Sequence, residues 1–112
     1  ILARNPHANG ILDDATAVRS GGYYPARSDA WAREALAKRG ALEWIRKDGM
    51  TMGQAALKAY LWEEAIPSVL VEAADAAKLE EFCAAPEKRD FAREEIAELA
   101  EQYRRNWDVP RA

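Results

Sequence analysis

Pro67-Ser68-Val69-Leu70-Val71 interrupts a chain that otherwise reads as helix. Proline forbids continuation of the helix before it. The four residues after it are short, apolar and partly β-branched, which predicts a buried strand over Ser68–Val71. Beyond the strand, Asp75 can cap a short helix carrying Leu79, Phe82 and Cys83 on one face, and Pro86 stops it. Before it, Thr51-Met52-Gly53-Gln54 is a capping box, and the helix it opens is expected over Thr51–Glu64. Further back, Ser28-Asp29 caps a helix over Asp29–Asp48, in which Trp31, Ala35, Leu42 and Ile45 recur at helical spacing. Gly49 stands just past its last turn. The last helix is expected over Ala92–Arg105, with Ile96, Leu99, Ala100 and Tyr103 as its apolar stripe and Trp107 a turn beyond. A second strand-like segment opens the chain: Ile1-Leu2-Ala3-Arg4, apolar and stopped at Asn5-Pro6. Two apolar strands separated by helices predict parallel pairing through a crossover. Two strands are too few for an independent sheet.

Composition narrows the class. A length of 112 residues suits one domain. With 49% apolar and 31% charged residues, wholesale disorder is excluded. A net charge of −3, from 16 Lys+Arg against 19 Asp+Glu, lacks the electrostatic footprint of a nucleic-acid binder. The single cysteine excludes an internal disulfide, and the single histidine excludes His-rich metal sites. No apolar run approaches the roughly 18 residues of a membrane span, and no signal-peptide pattern opens the chain, so no membrane partner and a cytoplasmic location are expected. Because Ile1 rather than Met comes first, the chain reads as a processed or truncated piece of something longer. The stretch from Asp13 to Arg27 is loop-like, with Asp13-Asp14, Ser20-Gly21-Gly22 and Pro25, and loops of that length in compact domains are usually functional lids or disordered segments.

Chemistry-bearing residues are few. His7 sits in a Pro-Asn turn region and reads as a polar loop residue rather than a general acid or ligand, because no second histidine or nearby carboxylate accompanies it. Cys83, at helical spacing from Leu79, reads as a packed thiol. Glu80-Glu81 and Glu94-Glu95 are adjacent on helices and point about 100° apart, so they read as solvated faces rather than paired carboxylates. The tryptophans, Trp31, Trp44, Trp62 and Trp107, read as packing groups. A strand running straight into a helix N-terminus near Asp75 can offer free amides to an anion, but Glu72 and Asp75 oppose that.

Four motifs in order carry a resemblance. Thr51-Met52-Gly53-Gln54-Ala55-Ala56-Leu57, then Ile66-Pro67-Ser68-Val69-Leu70, then Leu79-Glu80-Glu81-Phe82 resemble the C-terminal end of the aldo/keto reductases. Asn5-Pro6-His7-Ala8-Asn9-Gly10-Ile11-Leu12 is similar to that family's loop after the seventh strand. Phe91 through Tyr103 to Trp107 looks like its last helix and tail. The likeness spans nearly the whole chain.

The resemblance implies an α/β fold by descent, mainly helical in content. Residues 1–112 would be a single partial domain: the C-terminal portion of a (β/α)8 TIM barrel, with four helices and one or two short parallel strands. A whole barrel takes roughly 250 residues. The family's catalytic Tyr, Lys, Asp and His fall on no residue of this chain, so no catalytic residue is assigned and the chain alone is expected to be inactive. The parent would be an NADP- or NAD-dependent oxidoreductase. The cofactor-facing positions that carry over are Arg4, Asn5, Pro6, Asn9, Gly10 and Glu81. Arg4 replaces an aromatic that stacks on the nicotinamide. Val71-Glu72-Ala73-Ala74 replaces the family's basic turn after strand eight. This chain alone is expected to bind no cofactor and no metal. Its expected partner is the rest of the barrel or a second copy, and the alternative reading is a small helical protein-interaction module.

Overall fold

In the computed structural model, which describes residues 1–8, 10–14, 28–73 and 75–111, the chain is mainly helical. The described elements are β1 (Leu2–Arg4), α1 (Asp29–Ala41), α2 (Met52–Leu61), β2 (Ser68–Leu70), α3 (Ala76–Cys83) and α4 (Arg93–Arg104). Single 3-10 turns lie at Glu43–Ile45, Ala85–Glu87 and Asn106–Asp108. The two strands are neighbours and run parallel, with Leu2, Ala3 and Arg4 opposite Ser68, Val69 and Leu70.

Local chemistry sets the helix starts. Ser28 caps α1 by accepting from the Trp31 amide. Thr51 and Gln54 form the anticipated capping box at α2: each accepts the other's backbone N–H at 3.1 Å. Asp75 caps α3 by accepting from the Lys78 amide at 2.9 Å. Glu95 supplies half a box at α4, accepting from the Ala92 amide, since alanine has no oxygen to return.

The helix ends depart from the sequence reading. The first helix stops at Ala41 rather than Asp48, where the Leu42 amide turns back to Arg39 and Gly40 and a 3-10 turn follows. Asp48 (φ 55°) and Gly49 (φ 75°) then form a left-handed pair that redirects the chain into α2, so Gly49 belongs to a turn and not to a helix end. The second helix ends at Leu61, three residues short of Glu64.

Helix α2 is the centre of the molecule. Every residue from Met52 to Lys58 is buried, as expected for a helix packed on all sides. One side joins Met52 and Ala55 to Leu42, Ile45, Met50 and Phe91, with Ile96 and Leu99 of α4 against them. The other side brings Leu57 against Phe82 and Ala85, with Val69 and Val71 packed on that cluster.

Both strands are less buried than their apolar character predicts. Val69 faces the helices, but Ile1 is 83% exposed, Leu2 57% and Leu70 55%. Side chains alternate across a strand, and among the described residues helices cover only one face of this sheet. Tyr103 and Leu79 are exposed as well, so their stripes are only partly inward.

Candidate functional site

Because β1 and β2 run parallel, the segments that follow them leave from the same edge of the sheet. The N-terminal turns of α2 and α3 gather beside that edge. The segment after β1 is a series of tight turns: the Ala8 amide donates to Asn5 O, and those of Gly10 and Leu12 donate to His7 O at 3.0 Å. Asn5 (φ 54°) and Gly10 (φ 93°) take left-handed backbone, which asparagine and glycine tolerate best.

These turns drive His7 inward. It is 6% exposed, its ring stacks on Phe82 at 4.3 Å between centroids, and Nε2 donates to Gly53 O at 3.0 Å. The reading of His7 as a polar loop residue is therefore corrected: it is a buried pin between the β1 loop and the start of α2. The pin needs a glycine at 53. A Cβ there would stand 2.8 Å from Phe82 Cε1, 3.0 Å from Glu81 Oε2 and 3.5 Å from His7 Nε2.

A charged clasp lies alongside. Lys78 Nζ on α3 meets Asp13 Oδ1 at 2.5 Å and Glu81 Oε1 at 3.2 Å, with all three side chains under a fifth exposed. Desolvation pulls the Lys78 ammonium down, but hydrogen bonds and charge from Asp13 and Glu81 together outweigh it, so it titrates above its ordinary value. The adjacent Asp14 faces other elements: it pairs with Arg39 at 3.5 Å and Arg46 at 3.3 Å, and accepts from the Met52 amide at 3.3 Å. Gln54 completes the join, donating from Nε2 to Glu81 O at 2.8 Å. Glu81 Oε2 is buried with no hydrogen-bond partner among the described residues.

The anticipated site residues thus fall into two groups. Arg4, Asn5, Pro6 and Gly10 lie together at the end of β1, with Arg4 and Asn5 exposed, Pro6 buried and Gly10 half-buried. Glu81 comes to the same end from α3, tied to Lys78. Asn9 lies outside the described residues, as does 15–27, most of the anticipated long loop. Sequence reasoning missed His7, Gly53, Gln54, Asp13 and Lys78 as a unit. The Thr51–Gln54 capping pattern was the one signal nearby.

Two carboxylates read as solvated are engaged instead. Glu81 is in the clasp. Glu95 takes a two-point contact from Arg89 (2.9 and 2.8 Å) and lies 3.3 Å from Lys47. The Arg89 bonds, then the Ala92 amide, hold its carboxyl down at about 2. Cys83 is corrected in the opposite sense: the residue is exposed rather than packed.

A cavity of about 300 Å³ opens between α2, β2 and α3, lined by Leu57, Leu61, Ser68, Val69, Phe82 and Cys83. Val71, just past β2, lines it as well, and the cavity shares Phe82 with the His7 contact. Among the described residues no cluster of His, Cys, Asp or Glu is placed to hold a metal ion, and no helix is long and apolar enough to cross a membrane. Comparison with known proteins gives no match to any family model, curated protein or solved structure.

Proposed function

We propose that this chain is the closing portion of a (β/α)8 barrel of the aldo/keto reductase type, part of a cytoplasmic NAD(P)-dependent oxidoreductase whose catalytic tetrad lies outside these residues. The observation that carries the reading is the parallel, in-register pairing of β1 with β2 across a helical crossover. Two neighbouring staves of such a barrel pair in this way, with helices on one face and the barrel interior on the other. The open face fits that picture, since parallel strands are normally buried on both sides. The turns after β1 and β2 would then lie on the functional rim.

A dinucleotide fits this rim unevenly. Arg4 and Asn5 stand exposed at the end of β1 and would face it. The β2 side offers Glu72 and Asp75, and its lysine is already engaged by Asp13 and Glu81. That side does not fit a 2′-phosphate. In this reading the chain binds and orients; it supplies no acid, base or hydride-positioning group and is inert alone. Incubating the purified chain with NADPH or NADH and a panel of aldehydes checks this: no oxidation above background is expected, and robust turnover overturns it. The reading frame upstream of Ile1 is a sharper test. Asp, Tyr, Lys and His at the family's spacing support the reading, and a sequence of another fold refutes it.

A second reading, a helical interaction module, is favoured by the exposed Ile1, Leu2 and Leu70. Burial of that face in a homodimer or on another chain would cover it. Sedimentation at micromolar concentration separates the two: a well-behaved monomer removes the interaction module.

A further inference from the structure

We infer that the cavity between α2, β2 and α3 is a binding site for a small neutral aromatic molecule of about two fused rings. The cavity's own walls carry this assignment, independently of the barrel reading. Its floor is the second core cluster: Leu57 and Phe82 are 4% exposed and Ala85 is fully buried. Its mouth is made by Pro67, Ser68, Cys83 and Pro86, all exposed. A buried apolar floor beneath a rim with few polar groups is the usual form of a small-molecule site. Proline holds φ near −65°, so Pro67 and Pro86 resist the collapse that would otherwise close an empty space.

Wall chemistry and volume define the occupant. Among the described lining residues none is charged, and Ser68 brings the one hydroxyl. A charge buried against such walls would lose its hydration with no partner to replace it. A neutral molecule suits them, with its apolar body on Leu57 and Phe82 and one polar edge at Ser68. A dry cavity of about 150 Å³ accepts benzene. The volume of about 300 Å³ here accepts two rings, and Phe82 offers them aromatic contact. Phe82 also carries the stack with His7, so the occupant touches the ring that holds the buried pin.

Indole is the probe, titrated into the whole chain by calorimetry. Saturable binding is expected, with a dissociation constant of about 0.1–1 mM for a molecule of roughly nine non-hydrogen atoms. Pyrrole keeps the N–H but lacks the second ring, and should bind about tenfold or more weakly. Naphthalene-2,6-disulfonate must bury a charge at one end and should not bind. Indole at about ten times its dissociation constant should slow the reaction of Cys83 with a disulfide reagent about tenfold. The proton signal of the chain's one histidine should shift with the same midpoint, because His7 and the cavity share Phe82. Leu61→Trp puts a larger ring in the wall and should abolish binding. Blocking Cys83 of the natural chain with a bulky maleimide changes no residue and should weaken binding about tenfold or more. No saturable binding of indole overturns the assignment, as does equal binding of the disulfonate. Binding that survives the blocked mouth and leaves the Cys83 reaction and the His7 signal unmoved places the molecule elsewhere and overturns it too.

Discussion

Replacing Gly53 by alanine tests the buried join between the β1 loop, α2 and α3. The new methyl would lie 2.8 Å from Phe82 Cε1, where carbon atoms normally rest at about 3.5–4.0 Å. Phe82 must therefore withdraw by about 1 Å, yet it is 4% exposed and held against the His7 ring. Overpacking of this kind costs about 1–3 kcal/mol. Loosening the His7–Gly53 hydrogen bond adds about 1 kcal/mol. Alanine's better helix propensity offsets up to about 1 kcal/mol. The expected balance is a loss of about 1–3 kcal/mol, seen in urea as a midpoint lower by about 1 M or more at unchanged slope. Gly40→Ala in α1 is the control, because its Cβ meets nothing within 4 Å. It should raise stability by up to about 1 kcal/mol. Equal midpoints for Gly53→Ala and the natural chain would refute the close approach, and with it the buried pin.

Other expectations follow from the ion pairs and caps. Glu95 titrates at about 2 against an ordinary 4.5, so it stabilises the fold above pH 4.5 and that contribution disappears as pH falls toward 2. After solvent screening it amounts to about 1–2 kcal/mol, and Glu95→Gln should flatten the acid limb of a thermal-stability profile; an unaltered limb counts against it. Lys78→Met leaves Asp13 and Glu81 facing each other, at a cost of about 1–2 kcal/mol that Asp13→Asn should partly restore in the double variant; strict additivity would dissolve the clasp. Thr51→Ala should cost about 1 kcal/mol through loss of the α2 cap, measured by thermal melting. Cys83 should react with a disulfide reagent nearly as fast in the folded chain as in urea, and a hundredfold protection would place the thiol inside.

Features set by adjacent residues were legible in the sequence. Thr51 with Gln54, Asp75 and Ser28 begin helices where they stand. Pro67 separates α2 from β2, and the apolar character of both strands foretold their parallel pairing. What escaped depended on distant partners. His7 looked solvated because Gly53 and Phe82, which enclose it, are far along the chain. Glu81 has Lys78 one turn away on its own helix, but the clasp that shields it is closed by Asp13, 65 positions from Lys78, and Glu95 meets Arg89 only through the turn into α4. Strand burial was overestimated because periodicity cannot say how many faces of a sheet are covered. Of the anticipated rim, Arg4, Asn5, Pro6 and Gly10 do share one end of the sheet, while Glu81 arrives already paired.

Asp13 and Asp14 are chain neighbours that reach opposite ways, one to α3 and the other to α1 and the head of α2. Their spacing from β1 is consequently a matter of count as much as of chemistry. Adding or removing a single position between Arg4 and Asp13 would rotate both carboxylates off their anchors together. Natural variation in that stretch should substitute freely at exposed sites yet keep its length.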